Sequence, residues 1–206
     1  MTPDYWHEAK AALAKRDARL RRIIAGYPDA ALRTRGDPFQ TLARSIVGQQ
    51  ISVRAAQAVW ERFALAAGEA VTPASVLALQ EEAMRASGLS RMKASYLRDL
   101  AAHFGGGSIR PRRWARMDDE AIIEELTEVR GIGRWSAEMF LIFHLMRPNV
   151  LPVGDLGLQR AIEKLYYKGR PISKDEMAQV GEKWAPWRTV ATWYLWRSLD
   201  PEPVEY

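Results

Sequence analysis

Apolar residues recur at helical spacing along most of the chain. After Asp37-Pro38, a cap and first-turn pair, Phe39, Leu42, Ala43, Ile46 and Val47 follow the i, i+3, i+4, i+7 pattern of one buried helix face. Past Ser52, a second N-cap residue, the same spacing carries Ala55, Ala56, Val59, Trp60 and Phe63. A third stripe, Tyr96, Leu97, Leu100, Ala101 and Phe104, stops at Gly105-Gly106-Gly107. Asp118, Asp119 and Glu120 put acid in the first turn of a further helix, where it favours the helix dipole, and Ile122, Ile123 and Leu126 supply its core face. No period-two strand stands out: the best stretch, Asn149 to Val153, is short and contains Pro152. The pattern predicts an all-α fold of roughly ten short helices, with a frayed tail at DPEPVEY.

Two predicted helices break the one-faced rule. From Arg134 to Met146 nearly every position is apolar, among them Trp135, Ala137, Met139, Phe140, Leu141, Ile142, Phe143 and Leu145. Such a helix is buried on all sides or lines a cleft. The last helix has a core stripe at Trp187, Val190, Ala191, Tyr194 and Leu195, and Trp193 and Trp196 fall off it. Those two either pack against a second lobe or face a pocket that needs a flat aromatic wall.

Composition narrows the class. The 206 residues, 48% hydrophobic and 27% charged, suffice for one large domain or two lobes sharing a core. Cysteine is absent, which excludes disulfides, a thiolate nucleophile, cysteine-ligated zinc and a cysteine-held iron–sulfur cluster, and agrees with a cytoplasmic location. No run approaches the roughly 18 apolar residues of a membrane span, and the charged start MTPDYWHEAKAALAKRD is unlike a secretory signal. The net charge of +5 suits a polyanionic partner, since each phosphate contact releases a counterion, although a merely solvated basic surface has the same composition.

The most informative segment runs from Leu126 to Ala137, LTEVRGIGRWSA. A periodic helix ends, a Gly-x-Gly turn follows, and the apolar helix begins. Glycine permits positive φ and close approach of another backbone. The new helix then presents free N–H groups and partial positive charge, a ready phosphate site, to which Arg134 can add a charge-assisted contact. Helix, Gly-apolar-Gly, basic residue and helix together form a helix-hairpin-helix pattern, which reads nucleic-acid backbone and not sequence. Downstream, in Pro152-Val153-Gly154-Asp155-Leu156-Gly157-Leu158, Asp155 stands at a helix start after a Pro/Gly loop. Asp is a common N-cap there, and capping does not preclude a chemical role.

The hairpin with a downstream Pro-x-x-Asp resembles the helix-hairpin-helix DNA glycosylase superfamily. Ser45-Ile46-Val47-Gly48-Gln49-Gln50-Ile51-Ser52, Gly131-Ile132-Gly133-Arg134-Trp135-Ser136-Ala137 and Trp184-Ala185-Pro186-Trp187-Arg188 resemble its 3-methyladenine DNA glycosylase II family in content and order, across Asp37 to Asp200. Some members carry an extra N-terminal α/β domain. The length of this chain leads us to expect a compact, all-helical member without it.

The resemblance implies roles position by position. Asp155 matches the catalytic carboxylate, which would stabilise positive charge on the sugar and orient or deprotonate the attacking water. Trp135 stands where strand-cleaving members carry a lysine that forms a Schiff base with the sugar. Tryptophan cannot do this, which implies a monofunctional enzyme leaving an abasic site. Trp135 would instead stack on a cationic base. Trp196 matches a second aromatic wall, and Met139 replaces an aromatic found in some relatives, which implies a differently shaped pocket. Gln50 is implied as the wedge that fills the gap left by a flipped base, with Ile51 next and Gln49 in the same turn; an ordinary polar turn is the alternative. Backbone amides near Gly131, Gly133 and Ser136, with Arg134, are expected to hold a phosphate. No catalytic cofactor is implied, only a monovalent cation (Na or K) between the carbonyls of Thr127, Val129 and Gly131 and DNA.

Other charged residues have plainer readings. His7, His103 and His144 lack ligand spacing. Glu138 reads as a surface or ion-pair residue, and Arg44, Arg54, Lys93 and Arg98 are either phosphate contacts or solvated charge. The expected architecture is two helical lobes, a central bundle from Gly36 to Arg134 and a second lobe of residues 1–35 with 135–206, with Asp155 and the tryptophans lining the cleft. The expected protein is a monomer acting on double-stranded DNA with an alkylated base, away from membranes, and at the nucleoid if bacterial. A glycosylase for deaminated or oxidised bases and a non-catalytic DNA-binding module are the alternatives.

Overall fold

Residues 2–33, 36–68 and 70–200 are described by a computed structural model. Among them are twelve α-helices, one 3₁₀ helix and no strand, the all-α fold that the pattern predicts. None of these helices is long and apolar enough to cross a membrane. Of the tail expected to fray, residues 201–206 lie outside the described residues. The chain divides into two units, Arg35–Phe140 and Met1–Thr34 with Leu141–Tyr206. The division expected before Trp135 thus falls after Phe140, so Trp135 and Met139 belong with the residues that precede them. The cause is local: Arg134 pairs back onto Glu120, and Phe140 packs edge-on against Trp114 with ring centroids 5.3 Å apart.

In the unit Arg35–Phe140, α3 (Pro38–Gly48) begins at Asp37, whose Oδ1 accepts a bond from Gln40 N at 3.1 Å. Pro38 occupies the first turn, where a missing N–H costs nothing. All five predicted core positions of α3 are buried. Helix α4 (Val53–Ala66) is capped by Ser52, and Val59, Trp60 and Phe63 are buried; its first turn stands in solvent, so Ala55 leaves the predicted stripe. Two short helices, α5 (Pro73–Ala78) and α6 (Glu81–Ala86), lead to α7 (Arg91–Gly105), which packs on α3 and α5. Its buried face is Ala94, Leu97, Leu100 and Ala101, with Tyr96 and Phe104 half-buried at the margin.

A 3₁₀ helix (Pro111–Arg116) precedes α8 (Asp119–Thr127), where Asp118 Oδ1 accepts from Ala121 N at 2.8 Å. Ile122, Ile123 and Leu126 are buried in α8, and each such side chain contributes about 1.5–3 kcal/mol. The apolar helix α9 (Arg134–Phe143) stops at Phe143 rather than at Met146, which has φ +51°.

The other unit joins α1 (Trp6–Arg16) and α2 (Ala18–Gly26) to α10 (Leu156–Tyr166), α11 (Lys174–Glu182) and α12 (Arg188–Arg197). Helix α12 runs through its middle: every residue from Thr189 to Leu195 is buried. Trp193, off the predicted stripe, packs edge-on against Trp6 with centroids 5.3 Å apart, a favoured aromatic geometry. Asp17 caps α2 through Arg19 N and also accepts a bond from Tyr166 Oη at 2.6 Å, tying α10 to the N-terminal helices. A Cβ on Gly181 would lie 2.3 Å from Leu151 Cδ2. That close approach seats the loop leading to Asp155 on α11.

Candidate active site

Asp155 is the N-cap of α10, as its position predicts. Its Oδ1 accepts from Leu158 N at 2.6 Å and from Trp196 Nε1 at 2.8 Å, so helix cap and indole meet on one oxygen. Trp196, in the last turn of α12, stacks on Phe143 with centroids 5.7 Å apart and planes 11° from parallel. Two N–H donors and a stacked ring hold the half-buried carboxylate in one orientation, the preorganisation needed to stabilise developing positive charge.

Gly157 makes room for this arrangement. A methyl there would stand 3.1 Å from Asp155 Oδ1 and 3.3 Å from Trp196 Cδ1, tighter than ordinary contact. Neither Gly157 nor Phe143 stands out as a site residue in the sequence. The available signal was a glycine, a poor helix former, two positions into a helix that starts with Asp.

In the unit Arg35–Phe140, the hairpin turn is fastened on three sides. Gly131 has φ +88°, and a Cβ there would fall 2.2 Å from Tyr96 Cδ2, so both backbone and packing demand glycine. Asp99 of α7 accepts from Arg130 N at 2.9 Å and from Arg130 Nε at 3.1 Å. Burial pushes the Asp99 carboxyl up, but the Arg130 bonds and the neighbouring charges of Arg130 and His103 outweigh it and leave it lowered. Gln49 Nε2 donates to Gly131 O at 2.7 Å. Gln49, expected to contact DNA, therefore ties the Gln49-Gln50-Ile51 turn to the hairpin.

That turn projects outward. Gln50 is exposed with φ +59°, and Ile51 is exposed beside it. Lys93 Nζ donates to Val47 O at 2.8 Å and to Gln49 O at 2.7 Å, holding the end of α3. Of the other cations left open in the sequence, Arg98 bonds Leu79 O, and Arg44 lies over Trp60 at 4.3 Å.

Arg134 is more engaged than its expected phosphate role suggests. It forms a double hydrogen bond with Glu120, with Nη2 to Oε2 at 2.9 Å, and its Nε donates to Glu138 Oε1 at 3.1 Å. The Glu120 bond foremost, then the two carboxylate charges, raise its guanidinium, while Glu120 is lowered. Glu138 is an ion-pair residue but not a surface one, being only 4% exposed. Trp135 is 41% exposed, Met139 is buried, and Ser136 is half-buried.

Gly133 has no neighbouring atom within 4 Å of a Cβ built there. It leads directly into α9, whose first-turn N–H groups have no partner within the helix. The Val129 carbonyl accepts from Ile132 N at 3.0 Å and the Gly131 carbonyl from Gln49. A carbonyl oxygen has two lone pairs, so each of these two keeps a second acceptor position.

The sequence pattern of the HhH-GPD superfamily base excision DNA repair protein family matches residues 43–186. The chain belongs to that superfamily. Among HhH-GPD proteins it is similar to DNA-3-methyladenine glycosylase 1 of Schizosaccharomyces pombe, 34% identical over 87% of this chain and 80% of that one. The fold is similar to the crystal structure of DNA-3-methyladenine glycosidase from Bacillus halodurans, with TM-score 0.87 and 37% identity over 97% of this chain and 92% of that one. It is also similar to the Schizosaccharomyces pombe 3-methyladenine DNA glycosylase in complex with abasic DNA, with TM-score 0.78 and 32% identity over 93% of this chain and 96% of that one.

Proposed function

We propose that this HhH-GPD protein is a monofunctional DNA glycosylase of the 3-methyladenine type II class, excising alkylated bases from duplex DNA and leaving an abasic site. The observation that carries the reading is the bond from Trp196 Nε1 to Asp155 Oδ1, which joins a carboxylate to a stacked aromatic ring. The relatives named for 3-methyladenine support the substrate class.

As the base departs with the electron pair of the N-glycosidic bond, positive charge develops on the sugar, and the Asp155 carboxylate offsets it. Water then adds its oxygen to the sugar carbon and gives up a proton, for which Asp155 is the acceptor. Trp135 and Trp196 each offer an aromatic face on which a cationic alkylated base can stack, and Met139 offers a polarisable thioether. Ring attack by residue 135 is closed, because an indole forms no Schiff base.

Amides at Gly133 and Ser136 take a phosphate at the start of α9. Thr127, Val129 and Gly131 carbonyls would hold a monovalent cation that neutralises a backbone phosphate. Gln50 and Ile51, the exposed tip of the turn held by Gln49 and Lys93, are the wedge. The absence of cysteine suits a cytoplasmic protein, and nothing in this reading requires more than a monomer.

The test is release of free bases from methylated duplex DNA by the wild type and by Asp155→Asn. Release by the wild type alone, with strand breaks appearing only after alkali, is the expected result. A covalent protein–DNA adduct trapped by borohydride would refute the monofunctional assignment.

A further inference from the structure

The segment Ile109-Arg110-Pro111-Arg112-Arg113-Trp114-Ala115-Arg116-Met117 holds four arginines outside the site described above. It forms a 3₁₀ helix, with Arg113 N donating to Arg110 O at 2.8 Å and Met117 N to Trp114 O at 3.2 Å. Such a helix has three residues per turn, so residues three apart lie in line, about 6 Å from one another. Burial follows that period. Pro111, Trp114 and Met117 face inward, whereas Arg110, Arg113 and Arg116 are exposed along one edge, and Arg112 and Ala115 are exposed along another.

Trp114 fixes the segment. It is 2% exposed, donates Nε1 to Glu125 Oε1 of α8 at 2.7 Å and meets Phe140 of α9, so both hairpin helices hold the arginine edge in place. The edge also ends just before α8, whose first turn is bound to the start of α9. Arg116 is followed by Asp118 and Glu120 at the start of α8, and Glu120 is bound to Arg134, the first residue of α9. The carboxylates in between are engaged, Asp118 in capping Ala121 N, Glu120 with Arg134, and Asp119 as well. By contrast Arg112, Arg113 and Arg116 have no ion pair or side-chain hydrogen bond among the described residues. Arg110 donates only Nε, to Gly107 O. Elsewhere Arg130, Arg134, Arg170 and Arg188 each have a carboxylate partner.

We infer that the edge of Arg110, Arg113 and Arg116 is a second contact for the DNA backbone, extending the hairpin's grip onto phosphates beyond those at the start of α9. The partner is a regularly spaced polyanion. Guanidinium groups in line, each able to bind a phosphate bidentately, match it better than they match a single small anion. The inference rests on the proposed function only in taking DNA as the partner, and the contact carries no base specificity.

The test is the salt dependence of binding to an undamaged duplex, comparing the wild type with Arg113→Gln combined with Arg116→Gln. Each lost phosphate contact lowers the slope of log K against log salt by about 0.9, so a fall of about 2 is expected. Between 50 and 200 mM salt the wild type should then lose about tenfold more affinity than the variant. Both residues are exposed and unpaired, so the variant should melt with the wild type, and base release at saturating DNA should be unchanged. Arg112→Gln, on the other edge, should change the slope by less than half as much.

An unchanged slope in the double variant overturns the inference, and an equal fall for Arg112→Gln overturns the assignment to this edge. Because the probe is undamaged DNA, a protein that releases no base still answers this question. Failure of the glycosylase reading and failure of the arginine edge are therefore separate results.

Discussion

Replacing Gly131 by alanine tests whether the hairpin turn is held as the structure implies. Two costs add at this position. The backbone sits at φ +88°, where a Cβ costs about 1–2 kcal/mol. The same Cβ lies 2.2 Å from Tyr96 Cδ2 and 2.6 Å from two more ring atoms, so the ring or the turn must move, at about 1–3 kcal/mol more. The sum, about 2–5 kcal/mol, corresponds to a fall in melting temperature of roughly 4–20 °C for a chain of this size. Thermal unfolding followed by circular dichroism measures it. Adding Tyr96→Ala should return the steric part and leave the backbone part, so the two changes are expected to couple by about 1–3 kcal/mol in a double-mutant cycle. An unshifted melting temperature, or strict additivity with Tyr96→Ala, would refute the reasoning.

Other perturbations separate stability from chemistry. Gly157→Ala should leave the melting temperature level or slightly raised, because alanine favours the helix by about 1 kcal/mol. The displaced Asp155 and Trp196 should slow single-turnover base release by roughly 10²-fold. Gly133→Ala, with no neighbour within 4 Å, should not alter thermal stability but should weaken DNA binding in a filter or anisotropy titration, because the new methyl stands at the proposed phosphate site. The lowered Asp99 carboxyl stabilises the fold at pH above the unfolded value of about 3.9, and this contribution is lost as pH falls through the lower folded value. Asp99→Asn should therefore melt earlier than the wild type near neutrality, and the gap should close in acid.

Much of the fold was legible wherever a helix was long enough to repeat its pattern. In α3 the cap, the proline and all five core positions could be read, because two full turns alternate between one buried face and solvent. The same holds for α8 and its Asp118 cap. Helices α5 and α6, of six residues each, repeat nothing and could not be read this way. The 3₁₀ helix has the wrong period for the template. In α12 seven consecutive buried residues erase the contrast on which a stripe depends, so the packing of Trp193 on Trp6 was left open.

The capping position of Asp155 and the hairpin turn were each legible from local order, Asp after a Pro/Gly loop and glycine at a turn. What was not legible is long-range. Gln49 and Gly131 are 82 positions apart, and nothing in the polar turn says that its amide faces a carbonyl rather than DNA. Glu138 lies on a helix apolar on nearly all sides, so its burial follows from which neighbour Arg134 reaches, and that is a tertiary fact.

The oxygen of Asp155 that caps α10 is the same one that binds Trp196. The fold and the proposed chemistry are thus under a single constraint at this position, and the substitutions open to it during evolution are unequal. Asparagine keeps an oxygen for the cap, at little cost, while removing the negative charge; alanine also removes the cap, at about 1 kcal/mol. A descendant that gave up base excision but kept its grip on DNA would be expected to pass through asparagine, still folded. The trace of lost catalysis in such a lineage would be one amide in place of a carboxylate, in an otherwise unchanged helix start.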